Sequence, residues 1–524
     1  MSISANLSMA PNAQSDPEAF AFSDLPTLIS ISAKERPSST AVVAGVLRID
    51  YANLNAQMLK VAASLQRAGL HAQDCIAICA ESSYAYLSVF LGALHAGISV
   101  APLSPSATAG QILAMVKDSN AKLLFVDEST SVALAASDFS LPKEVDLIQL
   151  GDGEEKTFNQ WLVRTTDLAD NVSISPDWAF NIIYSSGTTG TPKGIVHSHQ
   201  MRWLQMQYMP HFGYTSKTVT LIATPLYSNT TMTALLPTLA FGGCVVLLPK
   251  FEAGVYLELA QREHVTHAML VPVQYQRLMS YPNFGKYNLD SFLVKFSTSA
   301  PLSAELKSDI VARWPGAFVE FYGMTEGGGT CMLVSHLHPN KFHTVGKPVD
   351  GHDFRVIDEQ GAEVPKGAVG EIVGRSATMM MGYHNQPGKT TEAEWTNAQG
   401  QRYIRTGDVG RFDEDGFLIL LDRRKDMIIS GGFNVYPSDI ESVLRKHLSV
   451  QDAAVVGAPS VDWGEVPVAF VVLKEAANIS TDEILEWTNS QVGKTQRLKG
   501  LRFINELPLS PIGKVLKREL RDRW

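Results

Sequence analysis

The sequence predicts an α/β fold, in which a large N-terminal domain of two doubly wound α/β subdomains and a small β-barrel precedes a small C-terminal domain. Three observations predict it. Helical stretches alternate with short apolar runs over two long segments, short β-rich runs broken by turns then follow, and 524 residues exceed what one hydrophobic core usually supports.

In the first segment, from about Leu25 to Val126, the helical stretch Tyr51 to Ala68 alternates with apolar runs such as Cys75 to Cys79 and Lys122 to Val126. That rhythm is the signature of doubly wound α/β structure. The second, from Thr218 to Phe321, offers Val219 to Ala223, Cys244 to Leu248, His267 to Val271 and Val294 to Ser297 as buried strands. From Gly346 to Leu421 the runs Phe354 to Ile357, Gly370 to Val373, Arg411 to Phe412 and Phe417 to Leu421 are separated by turns such as Asp358 to Gly361 and Glu414 to Gly416, which predicts a small antiparallel unit or barrel. After the charged run Asp422 to Asp426 about one small domain's worth of chain remains. The expected division is a loose tail over 1–20, a large domain over 21–424 and a small one over 425–524.

A hydrophobic content of 45% and a charged content of 19% describe an ordinary globular chain. The net charge of -9 disfavours a surface that binds nucleic acid or anionic lipid, so anionic ligands must meet local positive sites. The four cysteines form neither a disulfide framework nor a zinc pair, and Met1 to Pro17 lacks the basic start and apolar centre of a signal peptide. A cytoplasmic monomer or homodimer is expected. The apolar runs Tyr86 to Leu103 and Ala234 to Pro249 are interrupted by His95, Gly97, Pro237 and Gly242-Gly243, which makes them buried elements rather than an integral membrane segment.

The segment Ile182 to His197 places a Gly/Ser/Thr loop, Ser185-Ser186-Gly187-Thr188-Thr189-Gly190, and Lys193 between two β-type runs. Little side-chain bulk lets backbone N–H groups and hydroxyls converge on phosphate oxygens, and Lys193 adds a compact positive charge. The GxxxxGK[ST] spacing is absent and no helix follows, which disfavours a P-loop kinase or ATPase. Taken alone, such a cluster is as readily a surface turn.

Tyr184 to Gly194 resembles the signature loop of the acyl-adenylate-forming superfamily, which includes acyl- and aryl-CoA ligases, peptide-synthetase adenylation domains and beetle luciferases. The resemblance runs from about Leu25 to Leu520 with several motifs in order. It implies an enzyme that activates a carboxylic acid with ATP to an acyl-AMP, releases pyrophosphate and passes the acyl group to a thiol, with magnesium (Mg2+) and a mobile α+β C-terminal domain.

By that resemblance, Phe321-Tyr322-Gly323-Met324-Thr325-Glu326 is the nucleotide motif: an aromatic ring lies against adenine, Thr325 contacts the α-phosphate and Glu326 takes the metal. These roles suit the chemistry of a stacking face, a hydroxyl donor and a hard oxygen ligand. Ser299-Ala300-Pro301 matches the adenine-edge loop, and Glu320 sits where a polar residue borders that pocket. Asp408 resembles the acid that accepts from both ribose hydroxyls, and Arg423 the arginine that completes the contact. Lys514 resembles the lysine that bridges carboxylate and α-phosphate, where a cation stabilises the charge brought together. Read singly, Glu326 and Asp408 would be turn residues and Lys514 a surface lysine.

The family's rotation between half-reactions makes Lys425 the hinge candidate. Gly431 and Gly432 would then leave room for the pantetheine arm of coenzyme A, and Trp463 matches a tunnel position, a core tryptophan being the other reading. Arg497, Lys499 and Arg502 are candidates for the CoA phosphates or a solvated face. The acyl pocket is expected at Tyr227, Ser228, Asn229 and Thr231, near Phe296 to Ser299, and from Gly327 and Gly328 to Met332. Gly327 to Gly329 either open the pocket or serve backbone geometry. Tyr227-Ser228 replaces the aromatic-His pair of many relatives, so His-based gating does not carry over. No acid that would pair with a substrate ammonium is identifiable. A plain carboxylate is favoured, aromatic or alicyclic over fatty. The chain ends soon after Lys514 with no fused carrier domain, which favours free CoA. The alternatives are an enzyme that loads a separate carrier protein and a sensor without turnover, the latter disfavoured by Lys193, Glu326, Asp408, Arg423 and Lys514.

Overall fold

A computed structural model describes residues 21–137, 141–151, 157–162, 169–185, 193–423, 426–430, 433–461, 463–475, 477–510 and 513–524. The chain folds into two compact units. The larger comprises residues 1–342, 348–353 and 375–404, the smaller 343–347, 354–374 and 405–524.

Two sheets organise the larger unit. In one, the strands Ala317–Gly323, Val294–Ser297, His267–Leu270, Val219–Ile222, Cys244–Leu247 and Thr40–Ala44 lie side by side and parallel, flanked by the antiparallel strands Thr330–Val334 and Leu47–Asp50. In the other the order is Gly382–Tyr383, Lys193–Ser198, Ala179–Ser185, Ser99–Leu103, Cys75–Cys79, Ala121–Val126 and Asp146–Gln149. Its first two neighbouring pairs are antiparallel and the rest parallel. Parallel strands are buried on both faces and so read as unbroken apolar runs. Cys75–Cys79 and Ser99–Leu103 are buried at every position.

The tempting apolar runs each resolve into a buried helix followed by a strand: Tyr84–His95 then Ser99–Leu103, and Asn229–Ala240 then Cys244–Leu247. No described helix is long and apolar enough to cross a membrane. The four cysteines are free thiols.

The β-rich stretch forms a sheet in the order Asp353–Ile357, Gly370–Arg375, Arg402–Phe412, with Leu418–Arg423 antiparallel to the last. A second sheet in the smaller unit runs Phe433–Val435, Ile428–Ser430, Gly464–Leu473, Val450–Ser460, with Gly500–Phe503 parallel to Gly464–Leu473 and the helices Pro437–Leu444, Thr481–Gln491 and Lys517–Arg523 around it. The compact units therefore divide the chain differently from the expected boundary at 424 and 425, because most of the β-rich sheet groups with the C-terminal segment.

Candidate active site

The phosphate-loop candidate lies on a hairpin. Ala179–Ser185 and Lys193–Ser198 pair antiparallel, with Ser185 opposite Lys193 at the open end and Asn181 opposite His197 further in. Ser186, Gly187, Thr188, Thr189 and Gly190 lie outside the described residues, as do Lys425, Gly431 and Gly432.

Lys193 is met by Tyr383, which sequence reasoning had not singled out. The short strand Gly382–Tyr383 pairs with Lys193–Ser198, setting Tyr383 opposite Ile195. The Lys193 Nζ sits 4.8 Å from the centre of the Tyr383 ring, within reach of the ring's negative face. The Tyr383 Oη donates to Glu326 Oε1 at 2.8 Å. Burial, then the Glu326 carboxylate, push the Tyr383 phenol far up, so it remains a donor. Met380 N–H donates to the Glu326 carbonyl at 2.9 Å, fixing the main chain as well. One ring thus gathers a cation and a carboxylate that are distant in sequence.

Thr325 is placed by a buried polar network. Ser198 caps the helix His199–Tyr208 by accepting from Met201 N–H, which sets Arg202 on the first turn beside the end of the hairpin. Arg202 is fully buried. Its Nη2 lies 2.8 Å from His197 Nδ1, 2.8 Å from Asn229 Oδ1 and 3.2 Å from Asn181 Oδ1, while Nη1 donates to Gln205 at 3.0 Å. No carboxylate is among its partners in the described residues, and burial pushes it down to about 9. His197 Nε2 in turn meets the Thr325 carbonyl at 2.7 Å. Burial first and the Arg202 charge second hold His197 well below the usual imidazole range, so it is neutral.

Within the nucleotide motif, strand alternation separates the side chains. Phe321 stacks on Phe296 with ring centres 5.5 Å apart and meets Phe212 edge-on, packing against the apolar core. Tyr322 and Glu320 lie on the opposite face of the strand. The Glu320 carboxylate is buried 2.5 Å from Lys307 Nζ, which also donates to the Phe342 carbonyl. Gly323 would bring a Cβ to 3.1 Å from the Gly329 carbonyl, and Met324 packs beside Tyr383.

Ser299 has φ +82°, a left-handed conformation uncommon for serine. Its hydroxyl lies 2.5 Å from Thr230 Oγ1, joining the expected adenine-edge loop to the expected acyl segment. Ala300 is half-buried and Pro301 exposed.

Two acyl-pocket assignments are corrected. Thr231 is fully buried, its Oγ1 donating to Pro225 O at 2.6 Å and meeting Thr224 Oγ1 at 2.7 Å, so it ties a loop instead of lining a cavity. At Gly327, with φ +74°, a Cβ would fall 1.9 Å from Thr378 O, and Ser376 Oγ donates to the Gly327 carbonyl at 2.8 Å. That glycine admits a neighbouring backbone, which decides its role in favour of backbone geometry. Gly328 beside it is buried, Tyr227 is half-buried, and Ser228 caps the helix Asn229–Ala240.

In the smaller unit, Asp408 and Arg423 are register partners across an antiparallel pair, with Nε to Oδ1 at 2.8 Å. Gly407 takes φ +69°, and Asp408 N–H donates to Thr406 Oγ1 at 3.0 Å. Lys514 is exposed, its carbonyl accepting from Ser510 N–H at 2.7 Å and its N–H donating to Ser510 Oγ at 3.0 Å. Trp463 is 49% exposed, which removes the core reading. Arg497 and Lys499 are exposed, whereas Arg502 lies 4.5 Å over the Trp524 ring and donates to Arg523 O at 2.7 Å.

Among the described residues no three His, Cys, Asp or Glu side chains converge. A lone Glu326 still fits Mg2+, which commonly takes one or two carboxylates plus substrate phosphates and waters.

The sequence matches two family profiles, the AMP-binding enzyme over residues 29–384 and the AMP-binding enzyme C-terminal domain over 439–514. It is 31% identical to a feruloyl-CoA synthase of Amycolatopsis sp over 498 residues, covering 94% of this chain and 97% of that one. It is 29% identical to the fatty acid–[acyl-carrier-protein] ligase ScoC of Streptomyces coeruleorubidus, covering 94% and 95%. The crystal structure of ATP-bound MatB from Rhodopseudomonas palustris superposes with a TM-score of 0.84 at 29% identity, covering 96% of this chain and 99% of the other. With both profiles matched in order and the alignments running nearly end to end, the chain belongs to the AMP-binding enzyme family of acyl-adenylate-forming enzymes.

Proposed function

We propose that this AMP-forming acid–thiol ligase is a carboxylic acid–CoA ligase. In the first half-reaction a carboxylate oxygen attacks the α-phosphorus of ATP, forming acyl-AMP as pyrophosphate leaves. In the second, the CoA thiolate attacks the acyl carbon and AMP departs with the electron pair of the broken C–O bond. The observation that carries the reading is the meeting of Lys193 and Glu326 on Tyr383 at the mouth of the hydroxyl-rich hairpin.

In this reading Lys193 and the loop Ser185 to Gly190 bind the phosphates, Tyr322 stacks on adenine beside Ser299 to Pro301, and Thr325 donates to the α-phosphate. Glu326 would hold Mg2+, which supplies charge neutralisation to the leaving pyrophosphate. Asp408 accepts the ribose hydroxyls with Arg423 steadying its carboxylate, and Lys514 offsets the negative charge as the acid meets the phosphate. Tyr227, Ser228, Asn229 and Gly328 serve the acyl pocket, with an aromatic or alicyclic acid favoured. Gly431, Gly432 and Trp463 serve the thiol.

Acid-dependent pyrophosphate exchange, followed by mass spectrometry with CoA, tests the proposal. Wild type should exchange and yield a CoA thioester, and Lys514→Ala should abolish exchange while ATP still binds. Exchange without a CoA thioester, but with loading of a carrier protein, would shift the reading to the activity named for ScoC. Unchanged exchange in the lysine variant would refute the role given to Lys514.

A further inference from the structure

A guanidinium carries only donors, so each atom facing Arg202 Nη2 must accept. Nη2 has two hydrogens, and its two 2.8 Å contacts are His197 Nδ1 and Asn229 Oδ1. The His197 end is checked from the far side: the Thr325 carbonyl, at 2.7 Å from Nε2, can only accept, so Nε2 carries the proton and Nδ1 is the lone pair. At the Asn229 end the oxygen is pinned to the arginine, and the amide cannot flip without facing N–H to N–H. Asn229 Nδ2 then points away from Arg202. It has no hydrogen-bond partner among the described residues, on a side chain only half-buried.

Arg202 is itself fully buried and bonded to neutral groups, an arrangement costly to keep unless it does something. We infer that Arg202 is a positioning residue that locks the Asn229 amide with Nδ2 offered to the acyl group, making the enzyme selective for acids that carry a hydrogen-bond acceptor. The inference rests on the ligase reading, which puts Asn229 beside the acid. A site with a fixed donor penalises the acid that leaves it unpaired, so a bare hydrocarbon acid is the poorer substrate.

The test measures pyrophosphate release with benzoate, cinnamate and hexanoate, the monomethoxy and monoamino derivatives of the two aromatic acids, and the oxo derivatives of hexanoate. A methoxy or oxo oxygen accepts without donating. In wild type one such acid should exceed its bare parent about tenfold in kcat/KM, in line with one hydrogen bond. Asn229→Leu should bring the pair within about twofold, and the KM for ATP should hold. Asn229→Asp, which presents an oxygen where the N–H had been, should move the preference to an amino derivative. Arg202→Met should erase the preference although Asn229 is intact, and should this variant fail to fold, the two Asn229 variants decide. Turnover without discrimination, or a preference that survives Asn229→Leu, would overturn the inference alone. No release with any acid would remove the ligase reading and this inference with it.

Discussion

Tyr383 acts through two ends of one side chain: its ring face receives Lys193 and its hydroxyl donates to Glu326. The two contacts are separable by mutation. Tyr383→Phe keeps the ring under the lysine and removes only the donor, so pyrophosphate release should fall about tenfold, the scale of one hydrogen bond to a charged group. Tyr383→Leu removes both and should fall further; equal rates for the two variants would mean that the ring contact with Lys193 does nothing, and a Tyr383→Phe rate equal to wild type that the hydroxyl does nothing. A second residue sets a pH limit. His267 is buried, with Nε2 2.9 Å from the Phe212 carbonyl, and burial pushes it down to about 4. In the unfolded chain the imidazole takes a proton near pH 6.5, so below that pH the unfolded state binds more protons. The native state therefore loses stability as pH falls from 6.5 towards 4, by on the order of 3 kcal/mol for this one group. Thermal unfolding followed across that range should show the loss, with a shallower slope in His267→Asn. Matching slopes would exclude His267 as its source.

At the scale of elements, the turn after the nucleotide motif depends on a close backbone approach. Gly327→Ala would drive a Cβ to 1.9 Å from Thr378 O at a positive φ, so the variant should lose about 2 kcal/mol or more and unfold at a lower temperature. An unchanged unfolding temperature with altered acid preference would restore Gly327 to the pocket wall. The same contrast shows what the sequence makes legible. Val294 to Ser297 and Cys75 to Cys79 are strands at the expected bounds, because strands buried on both faces announce themselves as apolar runs. The Asp408–Arg423 pair was equally readable, since both sit in motifs with order and spacing. Tyr383, Arg202 and His197 were not. Each works through partners brought close by sheet pairing or by the starts of separate helices, and Arg202 in a helix reads like any polar surface residue until its burial is known. The different surroundings of Phe321 and Glu320 were hidden for a related reason: a motif names consecutive residues, whereas a strand sends alternate ones to opposite faces.

At the scale of the molecule, connectivity limits which part can move. The chain passes between its two compact units after residues 342, 347, 353, 374 and 404, so no single pivot there could carry a rotation. The segment around Lys425 differs. It is the only covalent link between the sheet that ends at Leu418–Arg423 and the sheet that begins at Ile428–Ser430. A hinge needs few residues whose backbone torsions can change, and one connecting segment satisfies that geometry. We therefore keep Lys425, outside the described residues, as the proposed pivot. Proline there would fix φ and restrict the preceding residue. If rotation at this point separates the half-reactions, Lys425→Pro should leave acid-dependent pyrophosphate exchange within about threefold of wild type and cut thioester formation at least a hundredfold, on the scale of a lost conformational step. The two rates should be measured on the same preparation, because a general folding defect would lower both together. Such a parallel loss would count against the pivot.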